Sequence, residues 1–117
     1  MSPDTTLACV VAAIPEAERL SHAALASALF VERVQERRDL PDGYAFRFEV
    51  DALVDLSRFV VNERRCCPFL SFEIAVAPED GPVWLRMTGP DGTRELLAHE
   101  LPAPRAASRA ASTPRSG

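Results

Sequence analysis

The sequence contains no lysine, few cysteines and no long apolar run. All 13 of its basic residues are arginine, which we attribute to genome composition. No apolar stretch approaches the roughly 18 residues of a membrane span, so no membrane partner is predicted. The apolar patch near the N-terminus follows a single charged side chain, Asp4, and no basic segment, which argues against a secretory signal. We therefore expect a cytoplasmic protein whose thiols are kept reduced.

Several motifs that would identify an enzyme or a binding module are also missing. The sequence has no glycine-rich phosphate loop, nucleophile elbow, nucleotide fingerprint or paired zinc-knuckle cysteines. Its Asp-Gly segments lack the regular oxygen-ligand spacing of a calcium loop and are interpreted as turns.

Charge is distributed unevenly along the chain. Residues 1–101 contain 10 Arg and all 17 acids, so their net charge is 10 − 17 = −7, whereas residues 102–117 add three Arg and no acid. An acidic body is a poor partner for a phosphate backbone, so nucleic-acid binding is not predicted. We expect one domain over residues 1–101 and a disordered tail of Pro, Ala, Ser and Arg over 102–117.

Local patterns predict an alternation of short strands and helices. The expected elements are a strand over 5–13 with Cys9 near its middle, a helix over 15–29, a hairpin over 30–50, a helix over 52–67, a second hairpin over 69–88 and a helix over 93–101. Their order predicts a single-domain α+β fold, a two-layer sandwich with a mostly antiparallel sheet and helices on one face. We describe it as an N-terminal βα unit followed by a ββαββα pseudo-repeat.

Particular residues support these elements. Gly43 is expected to take a positive φ in the first turn, and Asp51 is expected to cap the following helix. Pro68 should end that helix by Cys67, because the residue before proline avoids helical dihedrals. A second group is interpreted as core because of its periodicity: Tyr44, Phe46, Phe48, Leu53, Leu56, Val60, Phe69, Phe72 and Trp84.

The adjacent pair Cys66-Cys67 is the most distinctive feature of the sequence. Two neighbouring thiolates can bind one soft, thiophilic ion. Arg64 and Arg65 should lower the thiol pKa values, whereas the dipole at a helix C-terminus should raise them, and we expect the two effects to offset each other roughly. The alternative is that both cysteines are small core residues.

Three further residues are candidate members of a site. Glu63 lies three residues before Cys66 and four before Cys67, so one helix face presents a carboxylate beside both sulfurs. Cys9 would complete a set of three thiols suited to Hg(II), As(III) or Cd(II), and His22 is the candidate fourth ligand of a zinc site. Each has an ordinary alternative: a solvated charge for Glu63, strand filling for Cys9 and a surface histidine for His22.

The stretches "ERRCCPFLSFEI", "LPDGYAFRF" and "GPVWLRMTGPDGTREL" carry a resemblance to a family of small bacterial proteins. That family is characterised by an Arg-x-Cys-Cys-Pro-Phe core and a following Gly-Pro-x-Trp-Leu-like strand, and the resemblance covers roughly residues 7–101. It implies a loose association with heavy-metal resistance and no established reaction. It marks Cys66 and Cys67 as the family's feature, with Cys9 and His22 at matching positions.

The sequence therefore predicts a small cytoplasmic protein that binds a soft metal or metalloid ion, Hg, As, Cd or Zn, through Cys66 and Cys67. Cys9 is the expected third ligand, assisted by Glu63 or His22. Two alternatives stay open: a thiol-based redox or nucleophilic enzyme, and a non-catalytic interaction module with structural cysteines. A homodimer that pairs through a free sheet edge is a further expectation.

Overall fold

The computed structural model describes residues 9–102, and within them three α-helices accompany one four-stranded sheet. The elements are α1 (Glu16–Ser27), β1 (Glu36–Leu40), β2 (Gly43–Phe48), α2 (Leu53–Cys66), β3 (Ser71–Val76), β4 (Val83–Thr88) and α3 (Thr93–Glu100). The strands lie in the order β1-β2-β4-β3, and every neighbouring pair is antiparallel. The α+β class that the sequence predicts is confirmed.

The core lies between one face of this sheet and the helices. Phe30 is at its centre, with ring centroids 5.0 Å from Phe46, 5.7 Å from Phe48 and 5.0 Å from Phe59 of α2. Leu85 on β4 and Leu97 on α3 are likewise almost fully buried. The predicted buried face of β2 is therefore confirmed, and Phe30 connects it to Phe59 of α2.

The opposite face of the sheet carries polar and charged side chains. Trp84 lies on this face, where the Arg38 guanidinium stacks 4.4 Å from its ring centroid. Arg86 and Glu73 form an ion pair of 3.1 Å there. The prediction that Trp84 belongs to the core is wrong, because strict alternation along β4 places Val83, Leu85 and Met87 inward instead.

The predicted N-terminal strand is not formed in the described residues. Cys9 and Val10 have no strand pairing, and Val11–Ala13 form a 3₁₀ turn. The Val10 N–H donates to the Cys66 carbonyl oxygen at 2.8 Å, so this segment bonds to the end of α2 rather than to the sheet. The remainder of the predicted strand, residues 5–8, lies outside the described residues.

The chain after α1 also differs from the predicted extended arm. Residues Ala28–Arg33 continue α1 as π-helical turns, and β1 begins only at Glu36. The wider turns bury Leu29 and Phe30 completely in the core. This burial stabilises the helical conformation over the strand that the local pattern predicts.

Asp51 does not cap α2. A 3₁₀ turn over Val50–Ala52 precedes the helix, and no side chain caps its N-terminus. The Asp51 carboxylate instead accepts a hydrogen bond of 3.0 Å from Arg33, which also donates to Asp55 at 3.1 Å.

Glycine is required at position 43 because β4 approaches it closely, and not because of its backbone conformation. Among the described glycines only Gly92 has a positive φ, whereas a Cβ on Gly43 would lie 1.9 Å from the Met87 carbonyl oxygen. The positive φ values of a hairpin turn occur at Glu79 and Asp80, in the second hairpin. The predicted role of Gly43 is thus wrong, although the hairpin itself is confirmed.

Two predictions on organisation stay predictions. The described elements after α1 follow the order ββαββα, but the internal repeat is not established by that order. Residues 103–117 of the predicted tail lie outside the described residues, and so do residues 1–8 of the predicted domain.

Candidate functional site

The site lies where α2 ends and β3 is about to begin. Cys66 is the last residue of α2, and Cys67 has left helical geometry at φ −124° and ψ 74°, as Pro68 requires. The Cys67 N–H still donates to the Glu63 carbonyl oxygen at 2.8 Å. Both cysteines are buried, so the predicted helix terminus is a core position as well as a candidate site.

Cys9 reaches this helix end from the N-terminal segment. Its sulfur forms a disulfide with Cys67, with an S–S distance of 2.07 Å and a separation of 58 residues in the chain. Cys66 is the free cysteine of the described residues, and its sulfur lies 3.4 Å from that of Cys67. The expectation that all three thiols are reduced is therefore wrong for Cys9 and Cys67 in this structure.

All three sulfurs nevertheless occupy one small volume. The sulfurs of Cys9, Cys66 and Cys67 lie within 4.8 Å of one another. An ion with metal–sulfur bonds near 2.3 Å holds three sulfurs roughly 4 Å apart, so the spacing is compatible with one shared ion once the disulfide is reduced. The three-cysteine group that the sequence suggested is thus brought together by the fold.

Glu63 and His22 form a part-buried pair directly beside the sulfurs. The His22 Nε2 lies 2.9 Å from Glu63 Oε1, and the other carboxylate oxygen lies 3.6 Å from the Cys67 sulfur. The Glu63 residue is 7% exposed, so the alternative of an ordinary solvated helix charge is wrong. In the reduced protein the Cys67 thiol would be placed to donate to this carboxylate.

His22 is held in place by packing as well as by its hydrogen bond. Its imidazole stacks on the Phe59 ring at 5.3 Å between centroids with an interplanar angle of 12°. Its side chain is 10% exposed, which rules out the surface-histidine alternative. Phe59 was not identified from the sequence, although it lies one helical turn before Glu63 on the same face of α2.

The arginines next to the pair take no part in the site. Arg64 and Arg65 are exposed, and Arg65 donates to Asn62 at 2.9 Å. Burial raises the pKa of the Cys66 thiol from 9.0 to about 11, with the negative charges of Glu63 and Glu100 acting in the same direction and a hydrogen bond from the Val10 backbone acting against them. The predicted offset between arginines and helix dipole is therefore wrong for Cys66, whose environment favours the neutral thiol.

The site borders an open groove, and the second histidine of the chain, His99, is on a different helix. An open groove of about 550 Å³ between α1 and α2 has His22 in its wall, together with Glu18, Arg58 and Asn62. His99 is exposed on α3 and does not belong to the group of candidate ligands among the described residues.

Comparison with known protein families, curated proteins and solved structures finds no match for this chain. The resemblance through the Arg-x-Cys-Cys-Pro-Phe motif therefore stays a prediction. Within residues 9–102, no helix has the combination of length and hydrophobicity that crossing a membrane requires.

Proposed function

We propose that the reduced protein binds one soft metal or metalloid ion through the sulfurs of Cys9, Cys66 and Cys67. The observation that carries this proposal is the mutual distance of at most 4.8 Å between the three sulfurs, which come from two separate segments of the chain. Thiolates prefer soft ions, so Hg(II), As(III) and Cd(II) are the candidate ligands ahead of hard cations. The motif resemblance to proteins associated with heavy-metal resistance is in accord with this role.

In this proposal the disulfide is the oxidised, ion-free state of the same site. The bond between Cys9 and Cys67 engages two of the three sulfurs, and Cys66 alone is a poor anchor because it is buried and its pKa is raised to about 11. Two-electron reduction by a cellular dithiol would convert the disulfide into two thiols, and the ion would then replace their protons. Binding is thereby restricted to reducing conditions.

Native mass spectrometry of the reduced chain tests this proposal. One Hg(II) or arsenite adduct per chain should form at micromolar concentration, and it should be lost in the Cys66→Ser/Cys67→Ser double variant. The Cys66→Ser single variant is the matched control for folding, because it can still form the Cys9–Cys67 disulfide when oxidised. Absence of any adduct in the reduced wild type, or an adduct that persists in the double variant, would refute the proposal.

A thiol–disulfide exchange enzyme is the second candidate. It is favoured by one observation, the 3.4 Å distance between the free Cys66 sulfur and the bonded Cys67 sulfur. Attack of a Cys66 thiolate on Cys67 would form a Cys66–Cys67 bond and release the Cys9 thiolate. The raised pKa of Cys66 acts against this reaction, since the thiolate is the nucleophile. Turnover of a model disulfide that depends on Cys66 would establish it in place of ion binding.

A further inference from the structure

The number of available donors limits which ion the three-cysteine site can hold. Among residues 9–102, the group of candidate ligand atoms consists of the three sulfurs, without a fourth His, Asp or Glu atom inside the same 4.8 Å. One oxygen of Glu63 is engaged by His22 at 2.9 Å, and the other lies 3.6 Å from the Cys67 sulfur without being within 4.8 Å of all three sulfurs. Structural zinc sites take four protein ligands, whereas the described residues bring three sulfurs together here. The donor set therefore favours an ion that is satisfied by three sulfurs.

The charge of the resulting complex gives a second, independent limit. Three thiolates with a divalent ion leave a formal charge of −3 + 2 = −1, and with a trivalent ion they leave −3 + 3 = 0. The Glu63 carboxylate lies 3.6 Å from the Cys67 sulfur and is buried with it. While His22 is neutral, a buried anionic complex beside this carboxylate is penalised by desolvation and by like-charge repulsion, whereas a neutral complex avoids both costs.

We infer that the ligand is a trivalent metalloid that arrives as a neutral hydroxide of the arsenous-acid class, and that Glu63 selects it by charge and not by coordination. This inference rests on the proposed function of the same site. The step is a condensation: one arsenous acid and three thiols form three arsenic–sulfur bonds and release three water molecules. No electron is transferred, and the complex that forms carries no net charge.

His22 has a positioning role in this arrangement. Its hydrogen bond to Oε1 and its stacking on Phe59 hold the carboxylate with its second oxygen toward Cys67. Glutamine at position 63 retains an oxygen that can accept from His22 but lacks the negative charge, so Glu63→Gln removes the proposed selector with little change in shape.

The experiment is a competition between arsenite and Cd(II) for the reduced protein, in wild type and in Glu63→Gln. The wild type should favour arsenite when each affinity is expressed relative to that of a free trithiol peptide. In Glu63→Gln the Cd(II) affinity should rise by about tenfold or more, with arsenite affinity changed by less than about threefold. Glu73→Gln is the matched control, since it removes the same charge from the opposite face of the sheet and should leave the ratio unchanged.

The possible results separate this inference from the proposed function. If the reduced wild type binds none of Hg(II), arsenite and Cd(II), both fail, and binding of Hg(II) alone overturns only the inference. Only the selection by Glu63 is overturned if the wild type has the same preference between arsenite and Cd(II) as the peptide. The same conclusion follows if Glu63→Gln leaves the ratio of the two affinities unchanged, or if this variant weakens Cd(II) binding as loss of a ligand would. X-ray absorption of the arsenic-loaded wild type gives a readout that needs no variant: three sulfur neighbours support the inference, and a mixed sulfur and oxygen shell overturns it.

Discussion

The sulfur of Cys66 lies 3.4 Å from that of Cys67, yet the disulfide of Cys67 is formed with Cys9, 58 residues earlier in the chain. The two adjacent cysteines therefore have different chemical states in one structure. Cys67 closes a long loop, and Cys66 remains a buried thiol. Five measurable consequences follow from this site and from the packing of the fold.

Breaking the disulfide should lower the free energy of unfolding by about 4 kcal/mol, because a crosslink between residues 58 apart restricts the unfolded chain. Urea unfolding of the oxidised wild type and of Cys9→Ser measures this difference. A reducing agent should destabilise the wild type by a similar amount and leave Cys9→Ser unchanged. Equal stability of the oxidised wild type and Cys9→Ser would contradict the bond.

Alkylation of Cys66 in the oxidised protein should be slow and should accelerate with pH. Burial raises the pKa of this thiol from 9.0 to about 11, so at pH 8 its thiolate fraction is roughly 100-fold lower than that of an exposed thiol. Iodoacetamide labelling followed by mass spectrometry gives the rate, with oxidised Cys66→Ser as the unlabelled control. Rapid labelling at pH 8 would show that the thiol is accessible and ionised.

The same pKa determines the sign of a pH effect on stability. Because the folded-state pKa of Cys66 lies above its unfolded value, the stability gained from keeping the thiol neutral is fully present below pH 9 and is lost as the pH rises toward about 11. The free energy of unfolding of the oxidised wild type, measured with urea, should therefore fall more between pH 9 and 11 than that of oxidised Cys66→Ser. Parallel curves for the two proteins would contradict this expectation.

His22→Ala should destabilise the protein by about 2–3 kcal/mol, since it removes the stacking on Phe59 and leaves the buried Glu63 without its partner. Chemical unfolding measures the loss, and His99→Ala on the exposed side of α3 should change stability by less than about 0.5 kcal/mol. A double-mutant cycle with Glu63→Ala, which removes the hydrogen-bond partner of His22, should give a coupling energy of about 1 kcal/mol. Additive effects would mean that the two side chains do not interact.

Gly43→Ala should cost about 3 kcal/mol or more, because its new methyl group would lie 1.9 Å from the Met87 carbonyl oxygen and would force β2 and β4 apart. Asp42→Ala is the control in the same turn, since the hydrogen bond from the Gly89 N–H to the Asp42 carbonyl oxygen does not involve the side chain. Thermal unfolding compares the two variants. A mild effect of Gly43→Ala would show that the strands can separate at this point.

Much of the fold could be predicted because its signals are local. Alternation in β2 identified the face formed by Tyr44, Phe46 and Phe48, and Pro68 identified the end of α2. The errors occur where a tertiary contact overrides a local preference. The Asp51 carboxylate binds Arg33 rather than the helix N-terminus, and Phe30 stays in a helical segment because its ring fills the centre of the core.

The candidate site divides in the same way. Adjacency of Cys66 and Cys67, and the position of Glu63 one helical turn before them, can be read directly from the sequence, since all three share the end of one helix. The partners of these residues cannot be read in this way. Cys9 lies 58 residues before Cys67, and His22 lies 41 residues before Glu63. No periodicity relates either residue to α2.

The sequence by itself determined that two cysteines meet at a helix end followed by a strand, because proline and the apolar period act within a few residues. Only the tertiary structure decided that Cys9 reaches Cys67 and that His22 engages Glu63, because those contacts depend on how α1 and the segment before it pack on α2. Burial then raised the pKa of Cys66 and placed a carboxylate beside the sulfurs. Solvent exclusion of this kind is a property of the packed molecule and is absent from any local pattern.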